Sequence, residues 1–176
     1  EHGALYVANL EKGRWIPLNR ETSPILKKHF PDQTTLLVYA QEAAHLVGGT
    51  ALDRPEDIDI DPENGDVYLC LTNNEQRNND HGSILKIRET NGDYLSETFT
   101  WDTFLAGGPK NGFSSPDNMA FDPRGNLWFT CDVSESNLGL GKFLPYGNNG
   151  LFYVPLKGPH SGDVYRVASA PMDAEL

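Results

Sequence analysis

The 176-residue chain carries 25 acidic and 14 basic side chains, a formal net charge of −11 at pH 7. This balance disfavours nucleic acid and anionic membrane surfaces as partners, because both are held by a basic face. No apolar run approaches the roughly 20 residues that a spanning helix needs, so no membrane insertion is expected, and most of the acidic side chains are expected on a solvated surface.

The chain begins with a predicted hairpin and continues into a predicted helix. Residues 3–10 and 14–18 form the two strands of the hairpin, and Lys12-Gly13 forms its turn. Apolar residues then recur at helical spacing over about 34–47, with Thr34 or Thr35 as the cap and Gly48-Gly49 as the stop. This helix is expected to cover one end of a sheet assembly.

A loop, a strand, a turn and a second strand are predicted between Arg54 and Thr72. Apolar residues alternate on both sides of the turn at 61–65, with the period of two that is typical of a half-buried strand. Glu56 and Asp57 follow Arg54 just before the first strand. Loops on a rigid sheet often carry function, so this loop is the first candidate site.

The same pattern returns between Ser115 and Thr130. Pro116 takes the place of Pro55, and Asp117 takes the place of Glu56. A repeated strand-turn-strand unit is typical of a propeller blade. Matching positions of successive blades face the same end of the central channel, so Glu56 and Asp117 are predicted to converge there.

Further strands are predicted over residues 82–88, 98–105, 150–156 and 162–168. A propeller has typically about 4–8 blades of four strands, and the strands predicted here suffice for roughly two to three blades. The chain also opens on Glu1 rather than Met. We therefore predict a mainly β fold, a single partial β-propeller domain over residues 1–176 with one covering helix, and expect it to be a piece of a longer protein.

Cys70 and Cys131 lie near the ends of the second strands of the two matching units. Burial as small hydrophobic residues is the favoured interpretation. A disulfide between neighbouring blades stays open as an alternative, a metal role is less favoured, and no zinc pattern is present.

A linked set of motifs resembles the PhoX-type alkaline phosphatases. The set comprises residues 54–58, 72–74, the strand that begins at Gly82, 99–102, 116–123 and 147–149, and the resemblance runs from Leu5 onward. It implies a six-bladed propeller, exported to the periplasm or secreted, that hydrolyses small-molecule phosphate monoesters with a cluster of Ca²⁺ and Fe³⁺.

The resemblance also implies roles for individual residues. Arg54 would hold the substrate phosphate and Glu56 would bind the metals, and both would be catalytic. Asp117 lies in the family's second metal-facing loop, and Asp57 and Asn118 match the metal ligands less closely. Hard oxygen ligands suit calcium and ferric iron, and a guanidinium fork suits phosphate. The plainer alternative makes the acids turn or capping residues and Arg54 their ion-pair partner.

The family's iron-binding cysteine and other acidic ligands lie upstream of the matched motifs, so neither Cys70 nor Cys131 inherits that role. The isolated segment is therefore expected to be inactive without the remainder of the propeller as its partner. Two other functions stay open: a calcium-dependent propeller hydrolase such as a lactonase, and a noncatalytic binding fragment. A serine hydrolase is disfavoured because Ser114-Ser115 lacks a nucleophile elbow, and His81 is expected at the surface.

Overall fold

The computed structural model describes residues 3–171 and is mainly β. Among these residues the strands are β1 Tyr6–Asn9, β2 Arg14–Pro17, β3 Pro55–Ile60, β4 Val67–Leu71, β5 Ser83–Glu89, β6 Phe99–Ala106, β7 Pro116–Phe121, β8 Leu127–Cys131, β9 Gly150–Val154 and β10 Tyr165–Ser169. The α-helices are α1 Pro24–His29, α2 Gln33–Val38 and α3 Ala40–Leu46.

The chain divides into two compact units, one of Glu1–Ala51 with Glu89–Trp101 and one of Leu52–Arg88 with Asp102–Leu176. In the first unit, β1 and β2 pair antiparallel as the predicted hairpin, and Gly13 (φ 58°) closes its turn. The helices share a small core with this hairpin, formed by the buried residues Leu18, Leu26, Phe30, Leu36 and Ala43. The single domain expected over residues 1–176 stays a prediction.

The predicted single helix over about 34–47 is wrong in its details. Helix α2 starts at Gln33, where the Asp32 carboxylate accepts a hydrogen bond from the Thr35 backbone amide and so replaces the threonine cap. Tyr39 (φ −103°, ψ 40°) leaves helical geometry and separates α2 from α3. The stop at Gly48 (φ 80°) is confirmed, and none of the helices among residues 3–171 is long and apolar enough to cross a membrane.

Two four-stranded sheets carry the rest of the fold. Their strand orders are β3-β4-β5-β6 and β7-β8-β9-β10, so consecutive strands are neighbours in each sheet. Such a four-stranded meander is the sheet of a propeller blade, and the predicted mainly β, propeller-type fold is confirmed. The first strands of the two blades, β3 and β7, lie against each other, and we call them the innermost strands.

The core of the second unit is aromatic at its centre. Tyr68, Phe113, Phe129 and Phe152 are each at most 1% exposed, and Phe129 stacks on Phe152 with ring centroids 5.0 Å apart. The two cysteines belong to this same core and are both free thiols. Their predicted burial is confirmed, and the disulfide alternative is wrong. Burial raises the pKa of both thiols, that of Cys131 to about 12.

Candidate functional site

The two blades begin with the same strained backbone. Arg54 and Ser115 both adopt a left-handed conformation, each with φ 54°, and each precedes the proline that opens the innermost strand. Residues other than glycine adopt this conformation at a cost, and such strain clusters at functional sites. The residue that follows β4 or β8 fixes this conformation. The Thr72 amide donates to the carbonyl of Arg54, and the Asp132 amide donates to the carbonyl of Ser115.

A β-bulge follows the proline in both innermost strands. Pro55 pairs with Leu71 and Ile58 with Leu69, which leaves one extra residue in β3. The same shift occurs in β7 between Pro116 and Met119. A bulge bends its strand and redirects the side chains it carries, and bulges are frequent beside active sites. These two bulges carry the predicted site residues Glu56, Asp57, Asp117 and Asn118.

Arg54 presents an exposed guanidinium next to the first bulge. Its Nη2 atom lies 3.8 Å from Glu56 Oε1, and its Nη1 atom donates to Asn73 Oδ1 at 3.2 Å. The Arg54 side chain is 61% exposed, so water screens the long ion pair with Glu56 and the pair contributes little to stability. The guanidinium is therefore oriented by its neighbours while it stays accessible to an anion.

Negative charges converge around Asp117 on the second bulge. Burial raises the pKa of Asp117, and the carboxylates of Asp132, Glu56 and Asp57 raise it further, while the Asn118 amide donates to Asp117 Oδ2 and opposes the shift. The innermost strands β3 and β7 thus bring the acids of both bulges into one electrostatic cluster. That Glu56 and Asp117 share a metal ion stays a prediction.

Asp57 and Asp59 connect the innermost strands of the two blades. Asp57 Oδ2 accepts from the Met119 amide at 2.8 Å, and Asp59 Oδ2 accepts from the Phe121 amide at 3.0 Å. The other oxygen of Asp57 accepts from the Ile58 amide at 2.9 Å. Both oxygens of Asp57 are therefore engaged by backbone donors, which favours a positioning role over the predicted metal ligation.

Asp59 was not among the residues singled out from the sequence. The signal that finds it is the alternation Asp57-Ile58-Asp59-Ile60, which puts two carboxylates on one face of β3. Asp132, directly after β8, is an acid for which the sequence leaves a functional and a structural role equally open. It belongs to the cluster, because its charge acts on Asp117.

The loop between β4 and β5 is anchored beside Arg54. Asp53 accepts hydrogen bonds from the amides of Asn74 at 2.9 Å and Asn79 at 3.0 Å, one to each carboxylate oxygen. Lys142, from the loop after β8, binds this loop through Glu75 at 2.6 Å and Asp80 at 3.0 Å. The asparagine-rich composition of residues 73–81 therefore serves to fold the loop onto Asp53.

His81 is partly buried at the end of the loop that precedes β5. Its Nδ1 atom lies 3.0 Å from Ser114 Oγ, and its ring packs edge-on against Phe143 and Tyr146. Burial lowers the pKa of His81. Ser114 is only 1% exposed, so its hydroxyl is not accessible to a substrate.

The carboxylates around the two bulges have the chemistry that hard cations prefer, but they do not form a complete set of metal ligands. Within residues 3–171, no group of three or more His, Cys, Asp or Glu side chains is arranged to hold a metal ion. Glu56, Asp117 and Asp132 nevertheless supply the oxygen donors that calcium and ferric iron prefer. Like charges brought together in this way repel one another, and a bound cation would relieve that repulsion.

Comparison with known proteins identifies the family. The model for alkaline phosphatase PhoX matches residues 1–176. The chain belongs to the PhoX alkaline phosphatase family.

A solved structure of this family is similar over nearly the whole chain. Pseudomonas fluorescens PhoX, determined in complex with vanadate, a transition-state analogue, is 33% identical with a TM-score of 0.85. The match covers 97% of this chain and 36% of the Pseudomonas chain, so this chain spans about a third of that relative. A search of curated proteins found no match.

Proposed function

We propose that this chain supplies part of the active site of a metal-dependent phosphatase that hydrolyses phosphate monoesters. The observation that carries the proposal is the matched pair of bulges, which brings acidic residues of two blades together beside an exposed arginine. Family membership and the similarity to a PhoX bound to a transition-state analogue support it. The metals, the substrate and the reaction below are parts of the same proposal.

Arg54 binds the phosphoryl oxygens in this proposal. A guanidinium offers planar, paired donors that match the geometry of phosphate, and the Arg54 side chain is exposed enough to receive it. Asn73 and Glu56 hold the guanidinium from two sides. Without a local cation, a chain with a net charge of −11 would repel a phosphate dianion.

Glu56 and Asp117 are the proposed ligands of Ca²⁺ and Fe³⁺, with Asn118 beside them and Asp132 as an additional donor. When bound, such cations polarise the phosphoryl oxygens and stabilise the charge that develops on them. Asp57, together with Asp59, fixes the spacing of β3 and β7 and so positions the two bulges. Asp57 therefore acts on the site through Met119 rather than by direct ligation.

The protein's surroundings also belong to the proposal. Because the chain spans 36% of the Pseudomonas relative, we expect the remaining ligands to come from the rest of a propeller, with little activity in the 176-residue chain alone. The family favours a periplasmic or secreted protein.

A segment exchange tests the proposed function. The segment of Pseudomonas fluorescens PhoX that matches this chain is replaced by it, and hydrolysis of an aryl phosphate is measured with and without calcium. We expect calcium-dependent activity in the chimera. Arg54→Lys keeps the positive charge but loses the paired, planar N–H donors of the guanidinium. It should lower kcat/KM by about 10- to 100-fold, the effect of one or two charge-assisted hydrogen bonds.

Arg124→Lys is the matched control, because Arg124 lies in the exposed turn between β7 and β8. It should leave kcat/KM unchanged. Equal losses in both variants would contradict the assignment of Arg54. A folded chimera that hydrolyses a lactone but no phosphate ester would favour the lactonase, and one that binds calcium without hydrolysing either would favour the binding fragment.

A further inference from the structure

The strained backbone that opens the second blade is held by a residue of the first blade. In the first blade, the Arg54 amide donates to the carbonyl of Leu52, which lies in the same loop. In the second blade, the Ser115 amide donates instead to the carbonyl of His81 at 2.9 Å. His81 lies at the end of the loop between β4 and β5, so a loop of one blade supports the turn that leads into the bulge of the other.

The His81 side chain makes a second contact with the same turn. Its Nδ1 atom lies 3.0 Å from Ser114 Oγ, and Ser114 Oγ lies 3.5 Å from Ser115 Oγ. Ser114 and Ser115 are only 1% and 2% exposed, so bulk water does not reach their hydroxyls. Because a buried hydroxyl without a partner is costly, the hydrogen bond of His81 Nδ1 with Ser114 stabilises this conformation of the turn.

The imidazole ring of His81 is held in place by its surroundings. Phe143 packs edge-on against it with ring centroids 5.8 Å apart, and Tyr146 does so at 5.2 Å. The chain after β6 passes close to the His81 backbone, because a Cβ atom on Gly107 would lie 2.1 Å from the His81 carbonyl oxygen. A side chain that is fixed by packing can in turn fix the group to which it is bonded.

The turn before β7 determines where Asp117 lies. Ser115 adopts the left-handed conformation with φ 54°, and its carbonyl accepts from the Asp132 amide at 2.8 Å. The bulge that carries Asp117 begins directly after this turn. A residue other than glycine keeps a strained conformation only where its surroundings enforce it, and His81 supplies part of that enforcement. A shift of the turn would therefore displace both Asp117 and Asp132.

We propose that His81 is a positioning residue for the acids of the second blade, on which it acts through Ser114 and Ser115. This role rests on the proposed function, in which Asp117 is a metal ligand. The hydrogen bond of Nδ1 fixes the turn, and the turn fixes the acid at the bulge.

The loop that ends at His81 also supports the proposed phosphate-binding side chain. Asn73, at the start of this loop, accepts from Arg54 Nη1 at 3.2 Å. The loop of residues 73–81 therefore contacts the guanidinium of the first blade at one end and the turn before Asp117 at the other. His81 thus links the position of the acid to that of the arginine.

Two substitutions at position 81 separate the hydrogen bond from the aromatic packing. His81→Phe keeps a ring against Phe143 and Tyr146 but removes Nδ1. His81→Asn loses the ring but keeps a polar atom near the position of Nδ1, where it can still bond to Ser114. A positioning role predicts that only the phenylalanine variant loosens the turn. A role in packing alone predicts the reverse.

Amide hydrogen exchange in the 176-residue chain tests the positioning without metal or substrate. The Asp132 amide reports on the turn of the second blade, and the Thr72 amide makes the equivalent contact with Arg54 in the first. In His81→Phe, we expect the Asp132 amide to exchange about three- to tenfold faster, the effect of one ordinary hydrogen bond, and the Thr72 amide to be unchanged. His81→Asn should keep the wild-type ratio of the two rates.

Three results of the exchange experiment would overturn the proposal. They are no acceleration in His81→Phe, equal acceleration of both amides in that variant, and a larger change of the ratio in His81→Asn than in His81→Phe. The second result would mean that the substitution destabilises the whole fold. The third would mean that His81 acts through its ring.

The segment exchange with Pseudomonas fluorescens PhoX extends the test to the metal site. The calcium concentration that gives half-maximal hydrolysis of the aryl phosphate should rise about three- to tenfold in His81→Phe and stay unchanged in His81→Asn. His160→Phe is the control, because His160 is exposed and its Nδ1 atom bonds to Asp163 instead. It should leave the calcium requirement unchanged.

The two experiments distinguish failure of this proposal from failure of the proposed function. An active chimera with the same calcium requirement in His81→Phe would refute the positioning role and leave the proposed function intact. An unmodified chimera without calcium-dependent activity would contradict the proposed function, and the exchange of the Asp132 amide would still decide whether His81 positions the turn.

Discussion

Two aspartates of the second blade have pKa values that their surroundings move in opposite directions. Burial and the charges of Asp132 and Glu56 raise the pKa of Asp117. Hydrogen bonds from Asn126, Trp128 and the Arg124 backbone lower the pKa of Asp122, which lies in the turn between β7 and β8. The ionised form of Asp117 is thus disfavoured in the folded state, whereas the ionised form of Asp122 is favoured. This difference distinguishes a candidate site residue from a structural one.

Neutralising these two acids should change stability with opposite signs. The raised pKa of Asp117 means that its ionisation opposes folding at neutral pH, so Asp117→Asn should raise the Tm of the metal-free chain at pH 7. The gain should vanish below the ordinary aspartate pKa of 3.8, where both states are protonated. Thermal unfolding in a chelating buffer at pH 7 and pH 3 measures it.

Asp122→Asn is the comparison for this experiment. Its pKa is lowered in the folded state, so its charge stabilises the fold above the unfolded pKa of 3.8, and that stability is lost as the pH falls through the folded pKa. The variant should therefore lower the Tm at pH 7. A loss of Tm in Asp117→Asn at pH 7 would show that Asp117 is a structural acceptor.

Asp57→Asn distinguishes positioning from metal ligation. An asparagine offers one oxygen where Met119 and Ile58 require two acceptors, so the variant should lose about 1–2 kcal/mol of unfolding free energy without metal. Urea unfolding in a chelating buffer measures this loss. Asp163→Asn, at an exposed acid, should cost much less. Unchanged stability together with weaker calcium binding would restore the predicted role of Asp57 as a ligand.

The strands could be predicted because the alternation of apolar residues is a local signal. The bulges could not be predicted. Alternation around the turns at 61–65 and 122–126 identifies the strands on either side. The extra residue in β3 depends on which partner residues pair across the sheet, and a single strand does not reveal that. The break at Tyr39 is similarly invisible in the sequence, because the apolar spacing continues through it.

The residues of the site were predictable only in part, for a related reason. In both blades an acid directly follows the proline that opens the first strand, and this repeat identifies Glu56 and Asp117. The contacts of Asp57 and Asp59 with β7 join residues that lie 62 positions apart, and no local pattern predicts them. The roles of Ca²⁺, Fe³⁺ and the phosphate monoester rest on family membership and remain proposals.

Glycine at position 82 is required where the loop after β4 returns to β5. Its φ is 71°, and a Cβ atom there would lie 2.2 Å from the carbonyl oxygens of Leu71 and Thr72. Gly82→Ala should therefore cost about 3 kcal/mol of unfolding free energy, because strain and a backbone clash add. Gly112 has the same φ but open space around it, so Gly112→Ala should cost only about 1 kcal/mol.

Chemical denaturation of the two glycine variants gives the comparison directly. The difference between them isolates the close approach of the loop, since the backbone strain is shared. Equal costs would show that the loop at residues 72–82 relaxes around the added methyl group. In that case the contacts of Asp53 with Asn74 and Asn79 would not hold the loop firmly beside Arg54.

Because the chain carries a net charge of −11, cation binding contributes to its folding stability. Repulsion among acids destabilises a folded chain, so any cation stabilises it to some degree by screening. A specific site adds more, because a ligand that binds only the folded state contributes about 2.7 kcal/mol at a hundredfold excess over its Kd. The two effects differ in whether they depend on particular residues.

Calcium should therefore raise the unfolding free energy of this chain more than sodium chloride does at equal ionic strength. The specific part of the gain should disappear in the double variant Glu56→Gln/Asp117→Asn, which removes the acids of both bulges, while the screening part persists. Thermal unfolding of both proteins across a calcium titration, with ionic strength held constant, measures the increment. An undiminished increment in the double variant would mean that calcium acts on the general surface charge and that the two bulges do not share a metal ion.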